Sequence, residues 1–249
     1  MAILIKTAAE IEKMRRSGVA LHQVFEAIRP SILPGVSTMD LDKIAAAKMD
    51  ELHAIPAFKG YHGFPAVLCA SINDEVVHGI PSDKRILTEG DIISIDCGVF
   101  VDGFCSDSAV TYAVGTPSAA TQKLLDVTQE ALERAIQQAR VGGRLGDISA
   151  TVQEICEAEG YGVVREFVGH GIGKSMHEDP QVPNYGPRGK GPRLKAGMVL
   201  AIEPMINAGG AGVKVLPDGW TTLTMDGSIS AHFEHTVAIT KDGPRVLTR

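Results

Sequence analysis

Two acidic side chains, Asp96 and Asp107, lie on either side of a predicted turn, where they could hold a cation together. The turn is Asp102-Gly103 between two apolar runs, the strongest short-range signal for a β-hairpin. A two-residue turn pairs Asp96 with Ala109 and places both carboxylates on one face as diagonal neighbours. Such carboxylates repel each other unless a cation or a proton lies between them. The pair predicts a metal site; the alternative is that each side chain caps a turn or faces water.

Three further side chains in the second half of the chain have suitable chemistry. His170 lies among glycines, where the backbone can approach a ligand closely. Glu203 ends one apolar run and Glu234 begins another. Taken singly, each is more often a loop or surface residue than a ligand. Together with Asp96 and Asp107 they form a set of four carboxylates and one imidazole.

Helical and strand patterns alternate around these residues. Capping signals and apolar spacing predict helices over residues 7–28, 37–52, 116–141 and 147–159. Short strands and loops rich in glycine and proline fill the rest. Both halves of the chain are therefore predicted to have the same order of elements: a helix, a break, a second helix and then strands.

An internal repeat organises these elements. Six pairs of similar residues share one offset of 107: Gly35 and Gly142, Asp40 and Asp147, Leu87 and Leu194, Gly90 and Gly197, Ile95 and Ile202, Asp96 and Glu203. So many matches at one offset favour duplication over chance. Two α/β halves related by a pseudo-twofold axis would bring Asp96 and Glu203 to one central cleft.

Composition narrows the classes of protein. The 249 residues carry a net charge of −6 without a basic block, which argues against binding to nucleic acid or to anionic membranes. The sequence contains no apolar run of about 18 residues and no signal-peptide pattern, so we expect a cytoplasmic protein. The four cysteines show no C-x-x-C spacing and are expected to be reduced.

Longer motifs around these residues resemble those of the methionine aminopeptidases. They begin at Asn73 (NDEVVHGIP), Ser94 (SIDCG), His170 (HGIG), His177 (HEDPQVP) and Ile202 (IEPM). The resemblance covers residues 1–249 and is greatest to the bacterial type I form. It implies an α+β pita-bread fold with a central antiparallel sheet, formed by one catalytic domain with halves of about 1–116 and 117–249. It also implies removal of the initiator methionine before a small second residue.

The resemblance also implies roles for individual residues. The five metal ligands would be Asp96, Asp107, His170, Glu203 and Glu234. Such an oxygen-rich set exceeds a mononuclear zinc site and suits two divalent ions, of cobalt, manganese, iron(II) or zinc. Two such ions would activate the water that attacks the first peptide bond.

Other side chains would act on the substrate. Glu203 would also pass a proton from water to the leaving amine, His177 would donate to the scissile carbonyl oxygen, and His78 would contact the substrate backbone. An apolar slot for the methionine side chain would be formed by Phe58, Tyr61, Phe64, Cys69, Met176 and Trp220. Phe58, Phe64 and Met176 depart from residues common in the family, which alters the shape of the slot.

Further expectations come from the same resemblance. Asn73, Glu75 and Ser230 resemble a monovalent-cation site, and His62 and His232 could lie near the pocket. The substrates would be peptides and nascent chains that begin with methionine, met near the ribosome by a monomer.

Two alternatives stay open. A prolidase or X-prolyl aminopeptidase shares the five ligands but usually carries a long N-terminal domain, for which a first helix starting at Thr7 leaves no room. A non-enzymatic binding protein on the same fold would generally have lost ligands, and all five are present. Comparison of Met-Ala with Xaa-Pro peptides separates the first alternative from an aminopeptidase specific for methionine.

Overall fold

A computed structural model describes residues 2–249. Its α-helices are α1 (Ala8–Ile28), α2 (Thr38–Glu51), α3 (Ala119–Gln138) and α4 (Leu145–Ala158), with 3₁₀ turns at Arg29–Ser31 and Tyr61–Gly63. The strands of the first half are β1 (Ile55–Pro56), β2 (Leu68–Ile72), β3 (Glu75–Val77), β4 (Ile92–Val101) and β5 (Phe104–Ala113). Those of the second half are β6 (Gly162–Val163), β7 (Gly169–Gly171), β8 (Glu178–Val182), β9 (Val199–Ile202), β10 (Met205–Asn207), β11 (Val213–Val215), β12 (Thr222–Thr224), β13 (Ser230–His232), β14 (Glu234–Thr240) and β15 (Gly243–Val246).

A nine-stranded antiparallel sheet forms the centre of the molecule. Its order is β1-β4-β5-β14-β9-β7-β8, with β2 also paired to β4 and β15 to β14. The pairing of β5 with β14 joins strands of the first half to strands of the second. Two three-stranded sheets, β13-β10-β6 and β11-β12-β3, lie beside it. The predicted α+β architecture with a central antiparallel sheet is confirmed.

The β4–β5 hairpin has the predicted register. Val101 pairs with Phe104 and Asp96 pairs with Ala109. Asp102 and Gly103 form the turn with φ of 51° and 76°. Positive φ at both central residues is the conformation of a type I′ turn, which matches the twist of the flanking strands. The hairpin is therefore determined by a local signal in the sequence.

Caps define the helix ends. Thr7 and Ser37 each form a capping box, as predicted. The predicted start of α3 at Thr116 is early, because Ser118 is the residue whose side chain accepts from the backbone of Thr121. The predicted start of α4 is late, since the helix begins at Leu145.

Hydrogen bonds repeat between the halves at the predicted offset. The amide of Gly35 donates to the carbonyl of Leu87 at 2.8 Å, and that of Gly142 donates to Leu194 at 3.0 Å. Gly90 and Gly197 have φ of 88° and 93°. The same backbone turn therefore precedes β4 and β9. A residue with a side chain would be strained at either glycine.

Each pair of helices covers its own half of the sheet. α1 and α2 pack over one apolar cluster that includes Leu21, Leu41 and Ile95. α3 and α4 pack over another that includes Leu132 and Ile202. Within residues 2–249 every helix is too short or too polar to cross a lipid bilayer.

Candidate metal centre

The central strands bring all five predicted ligands to one cavity of about 220 Å³. Asp96 on β4 and Glu234 on β14 both pair with Ala109 of β5, so they flank this residue from the two neighbouring strands. His170 on β7 pairs with Ala201, near the end of β9, and Glu203 follows that strand directly. Strands of both halves thus contribute to a single site.

Three of these side chains form a compact group. One ligand atom each of Asp107, His170 and Glu234 lies within 4.8 Å of the others. His170 Nε2 is 4.0 Å from Asp107 Oδ2 and 3.6 Å from Glu203 Oε1. Asp107 and Glu234 are 4% and 2% exposed. The group can therefore surround an ion with little access to water.

Burial raises the pKa of the carboxyl groups. The pKa of Asp107 rises to about 7, chiefly through loss of hydration. Burial first, and then the charges of neighbouring carboxylates, raise the pKa values of Asp96, Glu203 and Glu234 well above their usual range. Four acids in one cavity cannot all ionise at neutral pH unless positive charge compensates them.

Two of the carboxylate oxygens have no protein partner. In the described part of the chain, no group forms a hydrogen bond with the buried atoms Asp96 Oδ1 and Glu234 Oε1. Buried polar atoms normally have a partner, and a missing one points to a bound ion or water. The oxygen-rich set of donors fits divalent cations.

The hydrogen bonding of His170 suits a metal ligand. Its Nδ1–H donates to the carbonyl of Gly171 at 2.9 Å, which leaves the lone pair of Nε2 facing Asp107 and Glu203. Burial, followed by the nearby His177, lowers the pKa of His170 to about 4. The neutral imidazole is the form that binds a metal.

The other predicted histidines line the same cavity. His177 Nδ1 is 2.8 Å from Tyr61 Oη, and burial lowers the pKa of this histidine. Burial lowers the pKa of His78 to about 4. His232 Nε2 is 3.7 Å from Glu203 Oε2, too far for a hydrogen bond, and within residues 2–249 no group forms a hydrogen bond with its ring.

The remaining wall of the cavity is apolar. All six residues predicted for the methionine slot line it: Phe58, Tyr61, Phe64, Cys69, Met176 and Trp220. The rings of Phe64 and Trp220 meet edge to face at 5.1 Å. The same cavity therefore contains both the acidic groups and a slot for an apolar side chain.

Some cavity residues were not found from the sequence. Val77, Phe167, Val168 and Met205 also line it, and the ring of Phe167 meets that of His78 at 5.4 Å. The apolar residues just before Gly169 were the available signal. His62 is not among the lining residues, whereas His232 is.

The residues suggested for a monovalent cation already bind protein groups. The amide of Ser230 donates to the carbonyl of Asn73 at 2.8 Å, and the Ser230 hydroxyl donates to Asn207. Glu75 accepts a hydrogen bond from the amide of Ile72 and pairs with Arg85. The monovalent site stays a prediction.

The curled antiparallel sheet and its acidic cavity define the class of protein, a metal-dependent hydrolase. The sequence profile of metallopeptidase family M24 matches residues 12–241. The chain belongs to this family. Membership and the cluster of Asp107, His170 and Glu234 together support the use of a divalent metal.

Relatives and solved structures agree with this assignment. Methionine aminopeptidase of Clostridium acetobutylicum is 52% identical over 246 residues, which are 99% of this chain and 98% of the relative. The crystal structure of methionine aminopeptidase from Thermotoga maritima superimposes with a TM-score of 0.98 at 46% identity and covers all of both chains. The predicted family resemblance and pita-bread fold are confirmed.

The fold extends to the first alternative. The prolidase from Pyrococcus furiosus has a TM-score of 0.79 at 26% identity, and the match covers 98% of this chain and 65% of that one. The sequence identity of this prolidase to the chain is about half that of the two aminopeptidases described above.

Proposed function

We propose that this protein is a metal-dependent aminopeptidase that removes the N-terminal methionine from peptides and nascent chains, preferentially before a small second residue. One observation carries the proposal: four carboxylates and an imidazole from both halves share a cavity with an apolar slot. The full-length similarity to methionine aminopeptidases supports this choice of substrate.

Two divalent ions would be held by Asp96, Asp107, His170, Glu203 and Glu234, and cobalt, manganese, iron(II) and zinc all suit these ligands. When bound, such ions would polarise a peptide carbonyl and lower the pKa of water towards about 7. The unpartnered oxygens of Asp96 and Glu234 support this assignment.

Glu203 carries the proton in the proposed reaction. It takes a proton from the attacking water and gives it to the leaving amine. Burial raises the pKa of this carboxyl in the metal-free protein, which makes its ionised form a stronger base for the proton of water. Its position between His170 and His232 keeps it at the centre of the cavity.

His177 stabilises the negative charge that develops on the scissile carbonyl oxygen. Tyr61 Oη lies 2.8 Å from Nδ1 of His177, and in the proposed tautomer the hydroxyl donates to Nδ1 while the proton of the neutral ring lies on Nε2. That N–H can then donate to the substrate. His78, which lines the same cavity, binds the substrate backbone near the free amine or the first peptide nitrogen.

The apolar slot selects the first side chain. Phe58, Phe64, Cys69, Met176 and Trp220 offer aromatic and sulfur contacts, which suit a thioether. We further propose that the protein acts in the cytoplasm near the ribosome, as a monomer of one catalytic domain with two repeated halves, and that it binds neither nucleic acid nor membranes.

The test is metal reconstitution of the purified, metal-stripped protein. Manganese, cobalt, iron(II) and zinc are added separately, and release of the first residue is followed for Met-Ala, Met-Leu and Xaa-Pro peptides. We expect metal-dependent cleavage of Met-Ala and little of Met-Leu. Cleavage of Xaa-Pro peptides alone would support a prolidase, and no cleavage with any metal would support a binding protein.

A further inference from the structure

A buried lysine from the first residues of the chain lies beside the proposed site. Lys6 Nζ is 2.6 Å from Glu178 Oε2, and both side chains are only 6% exposed. Lysine is almost never this buried unless it is paired. The sequence separates the two residues by 172 positions, so the fold, and not a local motif, forms this pair.

Two glycines make room for this segment. The amide of Lys6 donates to the carbonyl of Gly197 at 2.8 Å, and a Cβ on Gly197 would lie 2.6 Å from the carbonyl oxygen of Lys6. A Cβ on Gly173 would lie 2.6 Å from both Lys6 Cε and Glu178 Oε1. Glycine at these positions lets the chain approach closely enough to bury the pair.

Glu178 connects this pair to the proposed site. It follows His177 directly, and it pairs with Gly171 where the register of β7 and β8 shifts beside His170. Its second oxygen, Oε1, accepts a hydrogen bond from the amide of Ser175 at 3.3 Å. A register shift in a sheet commonly re-aims a side chain, and here it adjoins two proposed site residues.

Residues 2–6, the segment that contains Lys6, also border the proposed site. Ala2 and Leu4 line a surface cavity of about 670 Å³ together with His170, His177 and Glu178. A displacement of Lys6 would therefore also displace residues 175–178, which include His177.

We propose that Lys6 is a positioning residue, whose ion pair with Glu178 fixes residues 175–178 and thereby orients the imidazole of His177. This inference rests on the role proposed for His177. Lys6 does not touch the substrate in this scheme; it acts through Glu178.

The energetics of buried ion pairs make the proposal testable. Removal of one partner leaves an uncompensated charge, whereas replacement of both by apolar residues is often neutral or stabilising. Lys6→Met should therefore lower both stability and activity. The double variant Lys6→Met/Glu178→Leu should recover stability without the ionic tether.

The experiment measures kcat, KM and Tm of the manganese-loaded protein on a Met-Ala peptide. We expect Lys6→Met to lower kcat by about 10- to 100-fold, because small misplacements of catalytic groups are costly. KM should stay within about twofold, since the substrate contacts are unchanged. Lys6→Arg should restore most of the activity, and the double variant should regain Tm but not kcat.

The matched control is Lys123→Met. Lys123 pairs with Glu159 at the same 2.6 Å, but the two side chains are 56% and 42% exposed. This variant should keep both kcat and Tm. A purely structural role for Lys6 predicts that kcat returns with Tm in the double variant, and that result, or full activity of Lys6→Met, would overturn the proposal.

A second readout does not need activity. The side-chain nitrogen spectrum of His177 in the metal-free protein should report its hydrogen bond with Tyr61. We expect Lys6→Met, but not Lys123→Met, to weaken that signature. An unchanged spectrum would contradict the proposed positioning of His177 by the Lys6–Glu178 ion pair. Failure of the wild-type protein to cleave any peptide would refute the proposed function and leave this comparison valid.

Discussion

His170 Nε2 lies 3.6 Å from Glu203 Oε1. This distance is longer than a hydrogen bond, and the only proton of the neutral ring is used by the carbonyl of Gly171. Two acceptor atoms so placed gain nothing from each other unless a cation lies between them. The relationship ties β7 to the end of β9, and it makes the charge of the cavity the property to test first.

Asp96→Asn should abolish peptidase activity without unfolding the protein. Asparagine keeps the shape of the side chain but removes its charge, and we expect kcat/KM on a Met-Ala peptide to fall by at least about 10³-fold. The free energy of unfolding of the metal-free protein should be unchanged or higher, because repulsion among the carboxylates decreases. His170→Ala should likewise lose activity and remain folded.

Asp102→Asn is the control for this prediction. It is the same substitution in the same hairpin, at an exposed turn with a φ of 51°, which asparagine tolerates. Activity and urea unfolding should both match those of the wild type. Full activity of Asp96→Asn would remove Asp96 from the site.

The contribution of Asp107 to the stability of the metal-free protein should decrease as pH rises. Asp107 has a pKa of about 7 in the folded protein against 3.8 for a free side chain. The folded state therefore binds this proton more tightly, so the stabilisation is full below about pH 4 and is lost as pH rises through about 7. We expect the contribution of Asp107 to the free energy of unfolding, taken as the difference between the wild type and Asp107→Asn, to fall by about 2–4 kcal/mol between pH 5 and pH 7.5.

Urea titrations with and without manganese check this prediction. The metal should stabilise the protein more at pH 7.5 than at pH 5, because ionised carboxylates bind it better. The buried histidines titrate in both proteins, so a contribution of Asp107 that increases over this range would contradict its raised pKa.

The local parts of the fold were predictable, and the distant contacts were not. The register of β4 and β5 follows from Asp102-Gly103, because a two-residue turn fixes the pairing on both sides. The predicted start of α3 at Thr116 was wrong. Pro117 is typical of a first helical position, but the N-cap is Ser118. Neighbouring residues compete for this role, and the sequence does not show which side chain reaches the backbone.

The candidate site divides in the same way. Three of its five proposed ligands, Asp96, His170 and Glu203, stand in the recognised motifs, and the cavity contains all five. Phe167 stands in none of the recognised motifs, and its contact with His78 arises only when β3 and the approach to β7 pack together. Lys6 was missed for the same reason, because its partner is remote in the chain.

Tyr61→Phe should reduce turnover while binding is preserved. Phenylalanine keeps the ring that lines the cavity but removes the hydroxyl, 2.8 Å from His177 Nδ1. Without that bond the imidazole is no longer held in one tautomer, so kcat should fall by about 3- to 10-fold with KM nearly unchanged.

Steady-state kinetics on Met-Ala peptides measure this effect, with Tyr112→Phe as the control. Tyr112 lies on β5 outside the central cavity, and its variant should keep wild-type kcat. A rise in KM without a fall in kcat would assign Tyr61 to binding alone.

Trp220→Leu should weaken binding of the methionine side chain with little effect on turnover. The Trp220 ring packs against Phe64 and lines the cavity. We expect KM for Met-Ala peptides to rise by about tenfold, in line with the value of a few methylene contacts in an apolar pocket. Because the lost contact is made equally before and during the reaction, kcat should change by less than about threefold. Tyr185→Leu, at a partly buried aromatic residue outside the cavity, should leave both constants unchanged. A loss confined to kcat would instead place Trp220 beside the reacting bond and would contradict its assignment to the slot.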